Sequence, residues 1–127
     1  MKILIADPQL RVRHGLRVLL EQQPGWSIVG EAADDRELFA LLRKDCPDVI
    51  LIDWDLPDLS MNTLLWLLRE QYPPIQMIIM SGRIELNHVI VKAGCDAFIC
   101  KADPPEKLLL LIHKLEACSL SPSCEEE

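Results

Sequence analysis

Residues 47–60 read PDVILIDWDLPDLS. Val49 to Ile52 form an unbroken apolar run, mostly of branched side chains, and the acid Asp53 follows directly. A strand that is apolar at every position is buried on both faces, as happens in a parallel sheet covered by helices on each side. The same signal recurs at Ile3 to Ala6, Met77 to Met80 and Ala97 to Cys100, and more weakly at Ser27 to Ala32.

Helical patterns separate these runs. Val12, Leu16, Leu19 and Leu20 follow 3.6-residue spacing, and Pro24-Gly25 stops that helix. Asp34 is the expected N-cap for Leu38, Leu41 and Leu42, which end before Cys46-Pro47. Asn62 is the expected cap for Leu64 to Leu68, with Pro73-Pro74 as the stop. A shorter helix is expected over about 84–93, closed by Gly94. Pro104 or Pro105 opens the last helix, which runs to about Ala117. Strand and helix alternate throughout, so the expectation is an α/β domain over 1–117 with right-handed crossovers. Residues 118–127 read as a flexible acidic tail or the start of a linker.

The composition narrows the function. The chain has 127 residues, 13 Lys and Arg against 20 Asp and Glu, and a net charge of −7. That length suits one domain. The charge argues against nucleic-acid binding by this domain, because a phosphate backbone needs a basic face. No apolar run is long enough to span a bilayer, and the N-terminus does not resemble a signal peptide. The five cysteines contain no C-x-x-C pair, which suggests neither a disulfide framework nor a zinc site and fits a reducing, cytoplasmic setting. His14, His88 and His113 are scattered and read as surface residues, and Arg11, Arg13 and Arg17 read as a solvated face of the first helix.

In an open α/β sheet, ligands bind beyond the carboxyl ends of the strands. Strand one ends in Asp7, strand three in Asp53, strand four in Ser81 and strand five in Lys101. A lone acid there is usually a turn or cap residue. Two carboxylates, a hydroxyl and an ammonium together are chemically more pointed. Like charges repel, so a divalent cation or Lys101 is needed to keep both carboxylates ionised. Oxygen ligands of this kind suit Mg²⁺.

At these residues the chain resembles the receiver domain of two-component response regulators, most of all receivers that precede a helix-turn-helix output domain. The segments that carry the resemblance are ILIADPQLRVRHGLRVLL, VGEAADDRELFALL, PDVILIDWDLPDLS, MIIMSGR and AGCDAFICKADPPEKLLLLI. The resemblance implies a flavodoxin-like, doubly wound, five-stranded parallel sheet of order 2-1-3-4-5 with five helices in three α/β/α layers. It implies a signalling protein rather than an enzyme. Asp53 matches the phosphoacceptor, Lys101 the phosphoryl-pairing lysine, Ser81 the residue bonding a phosphoryl oxygen, and Phe98 the switch aromatic. Asp7, Asp53 and the backbone carbonyl of Asp55 match Mg²⁺ ligands. The implied partner is a sensor histidine kinase or phosphotransfer protein, with weak homodimerisation through the last two β-α units.

The chain departs from the family pattern in places. The second strand-one acid is replaced by Pro8, which offers no side-chain oxygen, so weakened metal binding is expected. Met61 stands where a glycine is usual, so a rerouted loop after Asp53 is expected. Ala102 follows the lysine where many relatives have proline. Trp66 and Leu67 add apolar residues to the third helix where relatives carry charge, leaving either a bare apolar surface or a partner surface. The alternative function, suggested by Pro8 at the second acidic position, is a pseudo-receiver that binds proteins without phosphoryl chemistry.

Overall fold

A computed structural model describes residues 1–56, 58–82 and 94–120, the last three by backbone alone. The elements are β1 (Lys2–Ala6), α1 (Leu10–Glu21), β2 (Ser27–Ala32), α2 (Asp35–Lys44), β3 (Val49–Asp53), α3 (Met61–Gln71), β4 (Gln76–Ser81), β5 (Ala97–Cys100) and α4 (Pro105–Leu120). The strands form one parallel sheet in the order β2-β1-β3-β4-β5. This is the flavodoxin-like architecture expected. Four helices lie among the described residues, not five, because the helix expected over about 84–93 falls outside them.

Successive strand side chains point to opposite faces, so an all-apolar strand feeds two cores at once. Leu4, Ile50, Ile52, Met77 and Ile79 join α2 and α3 through Leu38, Leu42, Leu64, Leu65 and Leu68. Ile3, Ile5, Val49, Leu51 and Ile78 face the other way and join α1 and α4 through Leu20, Leu108 and Ile112. The five residues of β3 are all buried, which explains why PDVILID carries no alternation. Each fully buried Leu or Ile contributes about 1.5–3 kcal/mol relative to exposure.

Local chemistry sets the helix ends. Asp34 accepts from Glu37 N at 2.8 Å, which caps the helix, while Glu37 Oε1 accepts from Ala33 N, one residue before the cap, at 2.7 Å. The cap of α3 is Ser60, not Asn62: the Ser60 hydroxyl accepts from Thr63 N at 3.3 Å. Ser60 wins because the helix begins at Met61, one turn earlier than the apolar run suggests. Met61 is therefore buried helix, and the left-handed residue of the preceding loop is Asp58, with φ 88°. Gly94 has φ 93°, the conformation a C-cap glycine takes. The last helix continues to Leu120, so residues 118–120 belong to it rather than to a tail.

The side chains on α3 divide as their angular positions require. Leu64, Leu65 and Leu68 are buried, Leu67 is half-buried and Trp66 is 61% exposed. His14 is exposed. His113 is also exposed but packs against Trp26 with the rings tilted by 41° and their centroids 4.5 Å apart, while His88 lies outside the described residues. No helix among the described residues is long and apolar enough to cross a membrane.

Candidate functional site

Crossovers in this sheet bring the carboxyl ends of β1, β3, β4 and β5 side by side. Asp53 is the last residue of β3 and Ser81 the last of β4, while Asp7 and Lys101 follow β1 and β5. Backbone bonds fix the rim: Trp54 N donates to Met80 O and Lys101 N donates to Ser81 O, each at 2.8 Å. Asp103 Oδ2 accepts from Cys100 N at 3.1 Å, which turns the chain after Lys101.

The Lys101 ammonium lies 2.8 Å from Asp7 Oδ2 and 2.8 Å from Asp53 Oδ1. Asp7 is 0% exposed and Asp53 4%. The remaining carboxylate oxygens also accept bonds: Asp7 Oδ1 from Gln9 N at 2.8 Å, and Asp53 Oδ2 from Asp55 N at 3.2 Å. The fold therefore brings Asp7, Asp53 and Lys101 together, and Ser81, 1% exposed, ends the adjoining strand β4. Phe98 is half-buried on β5, opposite Ile79 of β4.

One cation serves two acids, and the electrostatics follow. Burial pushes the Asp53 carboxyl above its usual range; the Lys101 hydrogen bond opposes this, and the Asp7 charge adds to it. Burial lowers Lys101, but its bonds to Asp53 and Asp7 outweigh that and leave it raised. The two directions agree: the ammonium is held firmly, and the second carboxylate is incompletely compensated.

Two converging buried carboxylates short of one positive charge suit a hard divalent cation. Mg²⁺ uses one or two protein carboxylates and keeps water for its other positions. Among the described residues no group of three or more His, Cys, Asp or Glu could hold a metal ion. The pair Asp7 and Asp53 could supply two carboxylate oxygens to Mg²⁺, with water in its other positions.

Three contributors escape sequence reading. Asp35, buried at the start of α2, accepts from Leu59 N at 2.7 Å and ties down the loop after Asp53. Arg13 and Arg17 are not a solvated face, since both bind Glu31 of β2, at 3.2 and 2.6 Å. Arg13 Nη1 also donates to the Asp7 carbonyl at 2.7 Å. The only sequence signal for these is the count of charges on α1 and α2, which does not name partners across the fold.

Residues 3–113 match the response regulator receiver domain family. The chain is 32% identical over 111 residues to the uncharacterized transcriptional regulatory protein YhcZ of Bacillus subtilis, covering 86% of this chain and 52% of that protein. It is 33% identical over 114 residues to the nitrate/nitrite response regulator protein NarP of Escherichia coli, covering 88% and 53%. It therefore spans about half the length of the curated relatives it matches. A two-component response regulator of the LuxR family from Aurantimonas sp. SI85-9A1 superposes with a TM-score of 0.83 at 27% identity, covering 99% of this chain and 93% of that one. The chain belongs to the response regulator receiver domain family.

Proposed function

We propose that this receiver accepts a phosphoryl group on Asp53 from the phosphohistidine of a sensor histidine kinase or phosphotransfer protein. The observation that carries the reading is the Lys101 ammonium, 2.8 Å from each of two buried carboxylates, Asp7 and Asp53. A carboxylate oxygen of Asp53 attacks phosphorus, the O–P bond forms as the donor's N–P bond breaks, and the imidazole leaves with the electron pair. Lys101 follows the charge onto the phosphoryl oxygens, and the Ser81 hydroxyl donates to one of them. Asp7, Asp53 and the Asp55 carbonyl would hold Mg²⁺, which when bound offsets charge developing on the transferring group. Phe98 then responds to the displaced Ser81, changing the surface around β5 and α4.

The wider role is transcription control. YhcZ and NarP are named as a transcriptional regulatory protein and a nitrate/nitrite response regulator, and the resemblance to receivers that precede a helix-turn-helix domain points the same way. The receiver unit is residues 1–117 with α4 continuing to Leu120, and the setting is cytoplasmic. No observation favours the pseudo-receiver.

The test is phosphorylation with Mg²⁺ and acetyl phosphate, read by intact mass. Wild type should gain one phosphoryl group and Asp53→Asn none; no adduct on wild type, or an unchanged adduct on the variant, would refute the assignment. Pro8 leaves the pocket with two carboxylates where a third is usual, so Pro8→Asp should tighten Mg²⁺ roughly tenfold, or about 1.4 kcal/mol. Unchanged affinity in a calorimetric titration would mean that Pro8 does not weaken the site.

A further inference from the structure

The three arginines of α1 behave differently. Arg11 is exposed, and Arg17 reaches Glu31 and Glu21. Arg13 has a side chain only 13% exposed, and it joins two elements. Its Nε donates to Glu31 Oε1 at 3.2 Å, and its Nη1 donates to the backbone carbonyl of Asp7 at 2.7 Å.

That carbonyl belongs to the peptide between Asp7 and Pro8. Pro8 has no N–H, so this peptide has no donor of its own with which to anchor itself. Nor does the first backbone bond of α1 reach it, since Arg13 N donates to Gln9 O at 3.1 Å. Asp7 N is bound to Ala32 O at 2.9 Å and Gln9 N to Asp7 Oδ1 at 2.8 Å, which secure the peptides on either side. The Arg13 bond fixes the plane between them. A peptide plane is rigid, so holding its carbonyl fixes ψ of Asp7, and with it the turn in which Gln9 N donates to the Asp7 carboxylate.

We infer that Arg13 is a positioning residue of the phosphoryl pocket: clamped by Glu31, it fixes the Asp7–Pro8 peptide and so aims the Asp7 carboxylate at Lys101 and the divalent cation. This rests on the reading of Asp7 and Asp53 as that pocket. The alternative role, tethering α1 to β2, is already filled by Arg17 Nε on Glu31 Oε2 at 2.6 Å. What Arg13 alone supplies is the contact to Asp7. The role also favours an arginine, because its rigid planar fork holds the Nε and Nη1 donors in fixed directions toward Glu31 and the Asp7 carbonyl, where the ammonium of a flexible stem sets no such direction.

The test compares wild type, Arg13→Lys, Arg13→Met and Arg17→Met. Mg²⁺ affinity is measured by calorimetry, and phosphorylation by acetyl phosphate is followed across Mg²⁺ concentration. Both Arg13 variants should bind Mg²⁺ roughly tenfold more weakly, the scale seen when the group behind a metal ligand is lost. The Mg²⁺ concentration needed for half-maximal phosphorylation should rise by the same factor, because the loss acts through the Asp7 carboxylate. Arg17→Met should bind Mg²⁺ as wild type does. Arg13→Lys keeps the charge and remains informative if Arg13→Met does not fold. Wild-type affinity in Arg13→Lys, or an equal loss in Arg17→Met, would overturn the inference while leaving the phosphoacceptor assignment intact. Failure of wild type to bind Mg²⁺ would overturn both.

Discussion

Replacing Lys101 by Met isolates the electrostatics of the pocket. Met keeps the apolar stem and removes the ammonium that lies 2.8 Å from each carboxylate. Asp7 and Asp53 then face each other with 0% and 4% exposure and no compensating charge. Removing one partner of a buried ion pair costs about 3–5 kcal/mol. The Lys101 side chain is 27% exposed, so solvent already screens part of the interaction. We therefore expect about 2–3 kcal/mol at pH 7.5 without metal. For a domain of this size that lowers Tm by about 6–15 °C.

The pH dependence has a definite sign. The folded-state pKa of Asp53 lies above its ordinary value, so the folded chain takes up this proton at a higher pH than the unfolded chain. The contribution of Asp53 to stability therefore falls as pH rises through the interval between the two values. Lys101 lies above its ordinary value too, so its contribution is complete throughout the acid and neutral range and is lost only in strong alkali. Without Lys101 the Asp53 interval extends further upward. The cost of Lys101→Met should thus shrink on acidification. Thermal unfolding of wild type and variant between pH 5 and 8 measures it. A cost under about 1 kcal/mol at pH 7.5, or one that does not fall with pH, would refute the account of one cation serving two acids.

Other expectations concern the surroundings of the pocket. Asp35→Ala removes the acceptor for Leu59 N, so the Leu59 amide should exchange with solvent roughly tenfold faster, and stability should fall by about 1–2 kcal/mol; unchanged exchange would mean the loop is held elsewhere. Trp66→Ser should alter stability by no more than about 0.5 kcal/mol, since the ring is 61% exposed, and a larger loss in denaturant titration would mean that Trp66 packs within the fold. Leu110 is 62% exposed on α4, so if the last β-α units self-associate, Leu110→Glu should abolish any dimer seen by sedimentation at high concentration; a wild type that stays monomeric with and without phosphodonor would remove that proposal.

The sheet was legible because ILIA and VILI are short, rich in branched residues and separated by helical patterns, as strands that serve two cores must be. Asp34 was legible as the cap of α2 because the residue type and the apolar spacing that follows it both lie within one turn. Ser60 was missed as a cap because the apolar run starts at Leu64, while the helix starts at Met61 on residues that carry no periodic signal. The acids at the strand ends were visible as residue types, but the convergence of Asp7 and Lys101, 94 positions apart, came from family resemblance and then from the fold. Pro8 was visible as a missing acid. The Arg13 bond to the peptide before it was not, because an arginine on a helix looks solvated until Glu31 of β2 is brought alongside.

The phosphoacceptor assignment is tested most directly by locating the modified residue. Wild-type protein treated with Mg²⁺ and acetyl phosphate, reduced with borohydride and digested, should yield one peptide in which Asp53 has become homoserine, the product of reducing an acyl phosphate. Homoserine at another acid, or at none, would contradict the claim that Asp53 is the residue this pocket is built to phosphorylate.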